Sequence, residues 1–223
     1  MRELKTEAIV LKRTNYGETD RILAIITPLG KKSALAKGVR KEKSKLAGAV
    51  EPFSLTELNL HEGRGELLVV TGAKCKKFYS NLLKDFARLE VASEIIKRTM
   101  KVSELVDNEE YFEITRQCLE TLNNGADTET VLAWFYLNIM KASGGEMNLH
   151  FDSSGEALKE DEQYVWDYTE GAMRKDKNGK ISGNEIKMLR LMLAAKLNLV
   201  LKVRGAEEMM PELLYIAKTL NQL

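Results

Sequence analysis

The sequence predicts an α+β fold, an amino-terminal five-stranded OB-type β-barrel followed by an all-α helical domain, and three observations lead there. Across residues 1–77, short runs rich in β-branched side chains alternate with Gly, Pro and Asn turn signals and show no helical period. From Lys77 onward apolar residues recur at i, i+3, i+4 and i+7, the spacing of helices buried on one side. The charge divides at the same place: residues 1–80 hold 16 Lys and Arg against 9 Asp and Glu, and the remainder holds 18 against 24. The expected organisation is an OB-type nucleic-acid-binding domain over 1–77 and a helical domain over 78–223, with an irregular insert at about 144–180.

Taken in order, Ala8–Leu11 and Arg21–Thr27 read as strands joined by a turn at Asn15–Gly17, the second strand being stopped by Pro28 and Gly30. Ser33–Lys37 reads as a third strand with Leu35 inward. Phe53–Leu60 reads as a fourth, with Phe53 and Leu55 opposed to Ser54 and Thr56. The turn around Gly63-Arg64-Gly65 then leads into a fifth strand, Glu66–Thr71. A first helix is expected from Lys77 to Met100 through Phe78, Leu82, Leu83, Phe86, Ile95 and Ile96, and a second over Asn108–Leu122. Asp127 is placed to cap a strongly apolar third helix through Val131, Phe135 and Ile139. In the insert, Tyr164–Tyr168 reads as a short strand and Lys175–Gly179 as a turn. Ser182 and Glu185 form a capping box opening a helix over Ile186–Val200, and a last helix follows Met210-Pro211.

The most unusual stretch is Lys31–Lys45, where Lys31, Lys32, Lys37, Arg40, Lys41, Lys43 and Lys45 face a single acid, Glu42. Bracketed by Gly38 and Gly48 and lying between strands, it predicts a basic loop on a rigid scaffold, the kind of place where binding residues gather. With Lys12, Arg13 and Arg64 in the same domain, these are the candidate DNA-binding residues; phosphates are their natural ligands. Aromatic residues in the barrel are sparse (Tyr16, Phe53, Phe78 and Tyr79), so base stacking is expected to be secondary to backbone contact.

Other motifs point nowhere. Asp176–Glu185 has Ile181 where a calcium loop needs its sixth-position glycine and Lys187 where it needs glutamate. His61 and His150, the two histidines, lie in different domains, so neither a metal cluster nor a Ser/His/Asp arrangement can be assembled. Glu109-Glu110 and Glu207-Glu208 read as exposed helix acids, Trp134 and Trp166 as core, and Glu18 and Asp20 as turn and strand-end hydrogen-bond acceptors. No catalytic or metal site is expected. Two distant cysteines, Cys75 and Cys118, point to a reducing compartment, and the charged start MRELKTE is unlike a secretory leader. No apolar run approaches a membrane span, so a soluble, cytoplasmic protein is expected.

The amino-terminal block carries Tyr16-Gly17-Glu18-Thr19-Asp20 after the first strand, Thr27–Gly30 after the second, Ala36-Lys37-Gly38 with the basic residues that follow, Ser44–Phe53, and Gly63-Arg64-Gly65-Glu66-Leu67. In that order and spacing the block resembles the bacterial RecO family of DNA repair and recombination mediators. It implies an OB-fold joined to a helical domain, binding of single- and double-stranded DNA, and annealing of complementary strands. It also implies partnership with RecR and SSB, assistance to RecA loading, and association with the bacterial nucleoid during repair. Many members carry a four-cysteine zinc site where this chain runs from Gly144 to Gly179. No cysteine lies there, so the expectation is a helical domain lacking zinc-ligand cysteines, with no metal and no cofactor. Two other readings stay open: a non-catalytic protein adaptor built on an OB barrel, and a metal-dependent nuclease.

Overall fold

The structure, a computed structural model, describes residues 3–62 and 67–221. The chain forms two compact units, Met1–Asn124 and Gly125–Leu223. Five strands, β1 (Glu3–Tyr16), β2 (Asp20–Thr27), β3 (Gly30–Ala36), β4 (Ser54–Glu62) and β5 (Leu68–Phe78), close into a barrel of order β1-β2-β3-β5-β4. All neighbours are antiparallel except β3 and β5, which pair in parallel at Ala34–Leu68 and Leu35–Val69. This is the expected OB-type barrel. β1 is long enough to pair with β4 through Glu3–Ile9 and with β2 through Ile9–Tyr16, and a bulge between Val10 and Lys12 bends it from one partner to the other. The barrel is filled by Ala8, Val10, Leu23, Ile25, Ala34, Ala36, Leu58, Leu60 and Val70. Val39 and Val50, from the loop between β3 and β4, join the same core.

Two side-chain orientations differ from the sequence expectation. On β4, Ser54 and Thr56 point inward with Leu58 and Leu60, and Phe53 and Leu55 are half-buried. Two buried hydroxyls are stable there because Ser54 Oγ donates to the Glu51 carbonyl at 2.6 Å and Thr56 Oγ1 to the Ala49 carbonyl at 2.6 Å. On β3 the inward residues are Ala34 and Ala36, with Leu35 on the other face.

β5 runs on through Lys77 and Phe78, so the first helix starts later than its apolar spacing predicts. A short 3₁₀ turn, Ser80–Lys84, precedes α1 (Phe86–Leu105), which Asp85 caps by accepting from the Arg88 amide at 3.2 Å. Leu83 and Phe86 are exposed, and the buried stripe is Ala92, Ile95, Ile96, Thr99 and Val102. α2 (Glu110–Asn123) packs on α1, with Thr99 and Thr115 hydroxyls bonded at 2.9 Å. Both helices belong to the barrel's compact unit, while the strands end at Phe78.

In the second unit, α3 (Thr128–Ala142) is apolar nearly all round and is capped by Asp127, whose carboxylate accepts from the Thr130 amide at 2.7 Å. Ten of its 15 residues are buried, which makes it the centre of this core. β6 (Tyr164–Asp167) and β7 (Ala172–Lys175) form a two-stranded ribbon in the insert. The Asp152 carboxylate organises the turn before it, accepting from the Ser154 and Glu156 amides at 2.9 and 3.0 Å. A Cβ at Gly179 would collide with the Tyr164 backbone, so only glycine fits there. The Ser182–Glu185 capping box is present at the start of α4 (Gly183–Ala194). The helix breaks at Ala195 and resumes as the one-turn α5 (Leu197–Val200). α6 (Ala206–Leu220) begins five residues before Pro211 instead of after it, from the left-handed Gly205, and carries the proline in its second turn.

Candidate nucleic-acid interface

The basic stretch leaves β3 at Ala36 and is pinned at both ends. At its start Gly38 takes φ +63°, a left-handed conformation, and its amide donates to the Asp20 carboxylate at 2.7 Å. Two residues on, the Arg40 amide donates to the Thr19 carbonyl at 2.9 Å and its guanidinium to the Gly17 carbonyl at 3.3 Å. The start of the loop is thus bonded to the β1–β2 turn. Between these polar contacts Val39 is buried. At the far end, Leu46 and Ala47 pack against the barrel core, Ala49 and Val50 are buried, and the Ser54 and Thr56 hydroxyls hold the carbonyls of Glu51 and Ala49.

With its small apolar residues turned inward, the loop presents its cations outward. Lys37, Arg40, Lys41, Lys43 and Lys45 are all exposed, and none of them makes an ion pair among the described residues. Asp20 is tied to the loop by its bond to the Gly38 amide. The Gly38 amide and then the Thr19 hydroxyl hold its carboxyl below the ordinary 3.8; burial opposes them, and Lys37 and Lys41 add smaller downward pulls. Asp20 therefore acts as a charged anchor for the loop. Tyr16, which pairs with Asp20 across the hairpin end, is 55% exposed and is the aromatic side chain on the β1–β2 turn beside the loop.

The other sequence-predicted residues divide. Lys31 and Lys32 lie within β3, opposite Ile26 and Ile25, and Lys31 pairs with Glu104 at 3.4 Å while its amide donates to Asp107. Lys12 is exposed on β1 opposite Ala24. Arg13 is bound to Glu51 at 2.5 Å. Arg64 and the turn around it lie outside the described residues. Elsewhere on the barrel the lysines alternate with acids: Lys5 pairs with Glu57 at 3.0 Å, Lys76 with Glu7 at 2.9 Å and Lys77 with Glu120 at 2.6 Å. Their charges are locally balanced, which separates that surface from the loop.

Arg21 was not singled out by sequence reasoning, although its place two residues before Leu23 puts it on the inner face of β2. It reaches Glu51 at 3.7 Å and donates from Nε to the Asn15 side chain at 3.3 Å. Among the described residues no three His, Cys, Asp or Glu side chains gather as a metal-ligand set. Asp176 instead accepts from the Asn178 amide within a tight turn, as its sequence context implies. No described helix is long and apolar enough to cross a membrane.

Residues 1–79 match the family model described as "Recombination protein O N terminal", and residues 83–220 match "Recombination protein O C terminal". A protein of Roseiflexus sp. named DNA repair protein RecO is 36% identical over 152 residues, covering 67% of this chain and 53% of the relative. One of Alkaliphilus metalliredigens with the same name is 36% identical over 144 residues, covering 63% of this chain and 58% of its own. A third, from Dehalococcoides mccartyi strain CBDB1, is 33% identical over 144 residues. The chain thus spans a little over half the length of the curated relatives it matches.

Proposed function

The chain belongs to the RecO family of recombination and DNA repair proteins, and from that membership we propose that it is a non-catalytic mediator that grips DNA by its phosphates and anneals complementary strands. The observation that carries the proposal is the pinned basic loop, whose five outward cations, Lys37, Arg40, Lys41, Lys43 and Lys45, make no ion pair among the described residues. A surface that holds backbones leaves base edges free, and two strands held that way can pair. In this reading residues 1–77 are the DNA-binding domain and residues 78–223 serve partners. RecR and SSB are the partners, RecA loading is the downstream step, and the protein works in the bacterial cytoplasm at the nucleoid.

Fluorescent complementary oligonucleotides report annealing and strand integrity together. The expected result is that the purified protein accelerates annealing, at low salt most of all, and leaves both strands at full length in magnesium or manganese. Cleavage would favour a nuclease, and absence of both annealing and salt-dependent binding would favour an adaptor; either outcome overturns the proposal. Annealing of SSB-coated strands with and without RecR tests the partners in the same format.

A further inference from the structure

Two guanidinium groups, Arg13 on β1 and Arg21 on β2, converge at the mouth of the barrel on one carboxylate oxygen of Glu51, at 2.5 and 3.7 Å. Both start from inner-face positions: Arg13 stands opposite the buried Leu23, and Arg21 precedes Leu23 by two residues on the same strand. Both guanidinium groups are largely covered yet still reach solvent, as a site for an ion from solution requires. Arg21 is further oriented by its Nε bond to Asn15, with one terminal nitrogen 3.7 Å from the shared acid. The arrangement is a two-pronged anion receptor, and the anion in it is supplied by the chain itself.

Glu51 is well placed to leave. Its side chain is 41% exposed, and partly exposed ion pairs of this kind hold weakly because water and salt compete for both partners. It also follows directly on the loop segment Ala47–Val50, next to the surface that carries Lys37, Arg40, Lys41, Lys43 and Lys45. A phosphate diester offers planar guanidinium groups the same paired oxygens that a carboxylate does. We propose that Arg13 and Arg21 form a second phosphate-binding site at the barrel mouth, which Glu51 occupies until a nucleic-acid backbone displaces it. Resting on the reading of this chain as a DNA-binding protein, the proposal extends the DNA track from the lysine loop to the barrel mouth and makes Glu51 a built-in competitor.

The test is binding of a labelled oligothymidylate over a range of salt concentrations, with thermal melting as the folding control. In the Arg13→Gln, Arg21→Gln double variant the log-log salt slope should become shallower by roughly 0.7, the share of the one phosphate that the two arginines hold together. In Glu51→Gln, which keeps both arginines, affinity should rise roughly fivefold at 0.1 M salt, the equivalent of about one contact's worth of competition. The slope of that variant should stay as it was, since the same phosphates are engaged. The gain from Glu51→Gln should largely vanish when the two arginines are also replaced. An unchanged slope in the double variant, or an equal gain from Glu51→Gln with and without the arginines, overturns the proposal. Either result can occur while the lysine loop still binds, and replacing the five loop cations tests that separate reading independently.

Discussion

Asp20 carries a negative charge at the edge of a cationic surface, and two opposed consequences can be separated by experiment. By charge alone, its removal should strengthen the grip on a polyanion. As the acceptor of the Gly38 amide at 2.7 Å, its removal should instead free the start of the loop and weaken that grip. We expect the second effect to win in Asp20→Ala, seen as lower affinity and a shallower salt slope; tighter binding would mean that the anchor is dispensable. Its titration has a definite sign. The folded-state carboxyl lies below its ordinary 3.8, so its contribution to stability is present above that value and is lost as pH falls through the folded value. Melting of the native protein should therefore weaken on acidification below about pH 4 more steeply than melting of Asp20→Asn. The two glycines of the loop make a second contrast. Gly38 sits at φ +63°, where a β-branched side chain costs of order 1–3 kcal/mol, whereas a Cβ on Gly48 meets open space. Gly38→Val should lower stability and Gly48→Val should leave it nearly unchanged, as denaturant titration would show. Equal effects would refute the assignment.

At the scale of elements, the loop is held by β4 as much as by the β1–β2 turn. Thr56→Val removes a hydroxyl and leaves the Ala49 carbonyl buried without its partner, so stability should fall by about 1–3 kcal/mol in chemical denaturation. A neutral result would mean that the clamp is unimportant. The same hydroxyls explain what could and could not be seen in the sequence. Ser54 and Thr56 look like the solvent side of an alternating strand, and only the carbonyls of a loop distant in pattern, though close in number, turn them inward. The five strands and the capping residues Asp127, Ser182 and Glu185 were legible because their signals are local. The start of α1 was not, because Phe78, Leu83 and Phe86 continue the helical spacing across a strand end and a 3₁₀ turn without being buried. Pro211 gave a false start for α6: the helix begins at Ala206 and carries the proline in its second turn, where the ring forgoes one bond to the preceding turn. The insert is organised by Asp152, by the Tyr164–Ile181 backbone pair and by the tight packing at Gly179. Protein washed with chelator should accordingly contain less than one zinc per chain and melt as before; a full equivalent of zinc, with loss of stability on its removal, would contradict this.

For the whole molecule, a net charge of only +1 conceals the feature that matters, which is where the unbalanced cations stand. The sequence shows the candidate cations but not which of them are neutralised: Lys31 is paired with Glu104 across a separation of 73 residues, and Arg13 with Glu51. Those pairings depend on the closed barrel and on α1, so no local pattern could reveal them. Among the described residues Lys37, Arg40, Lys41, Lys43 and Lys45 make no ion pair, and they are displayed on a loop whose apolar residues are locked into the core. The most direct test is the salt dependence of oligothymidylate binding by the protein in which all five are alanine. Five phosphate contacts correspond to about −3.5 in the log-log slope, so the variant should show a slope flatter by about that amount and a loss of affinity for every base sequence alike. Its melting should change little, because exposed charged side chains usually contribute within about 0.5 kcal/mol each. A folded variant that keeps both the affinity and the salt slope of the native protein would contradict the assignment of this loop as the DNA-binding surface.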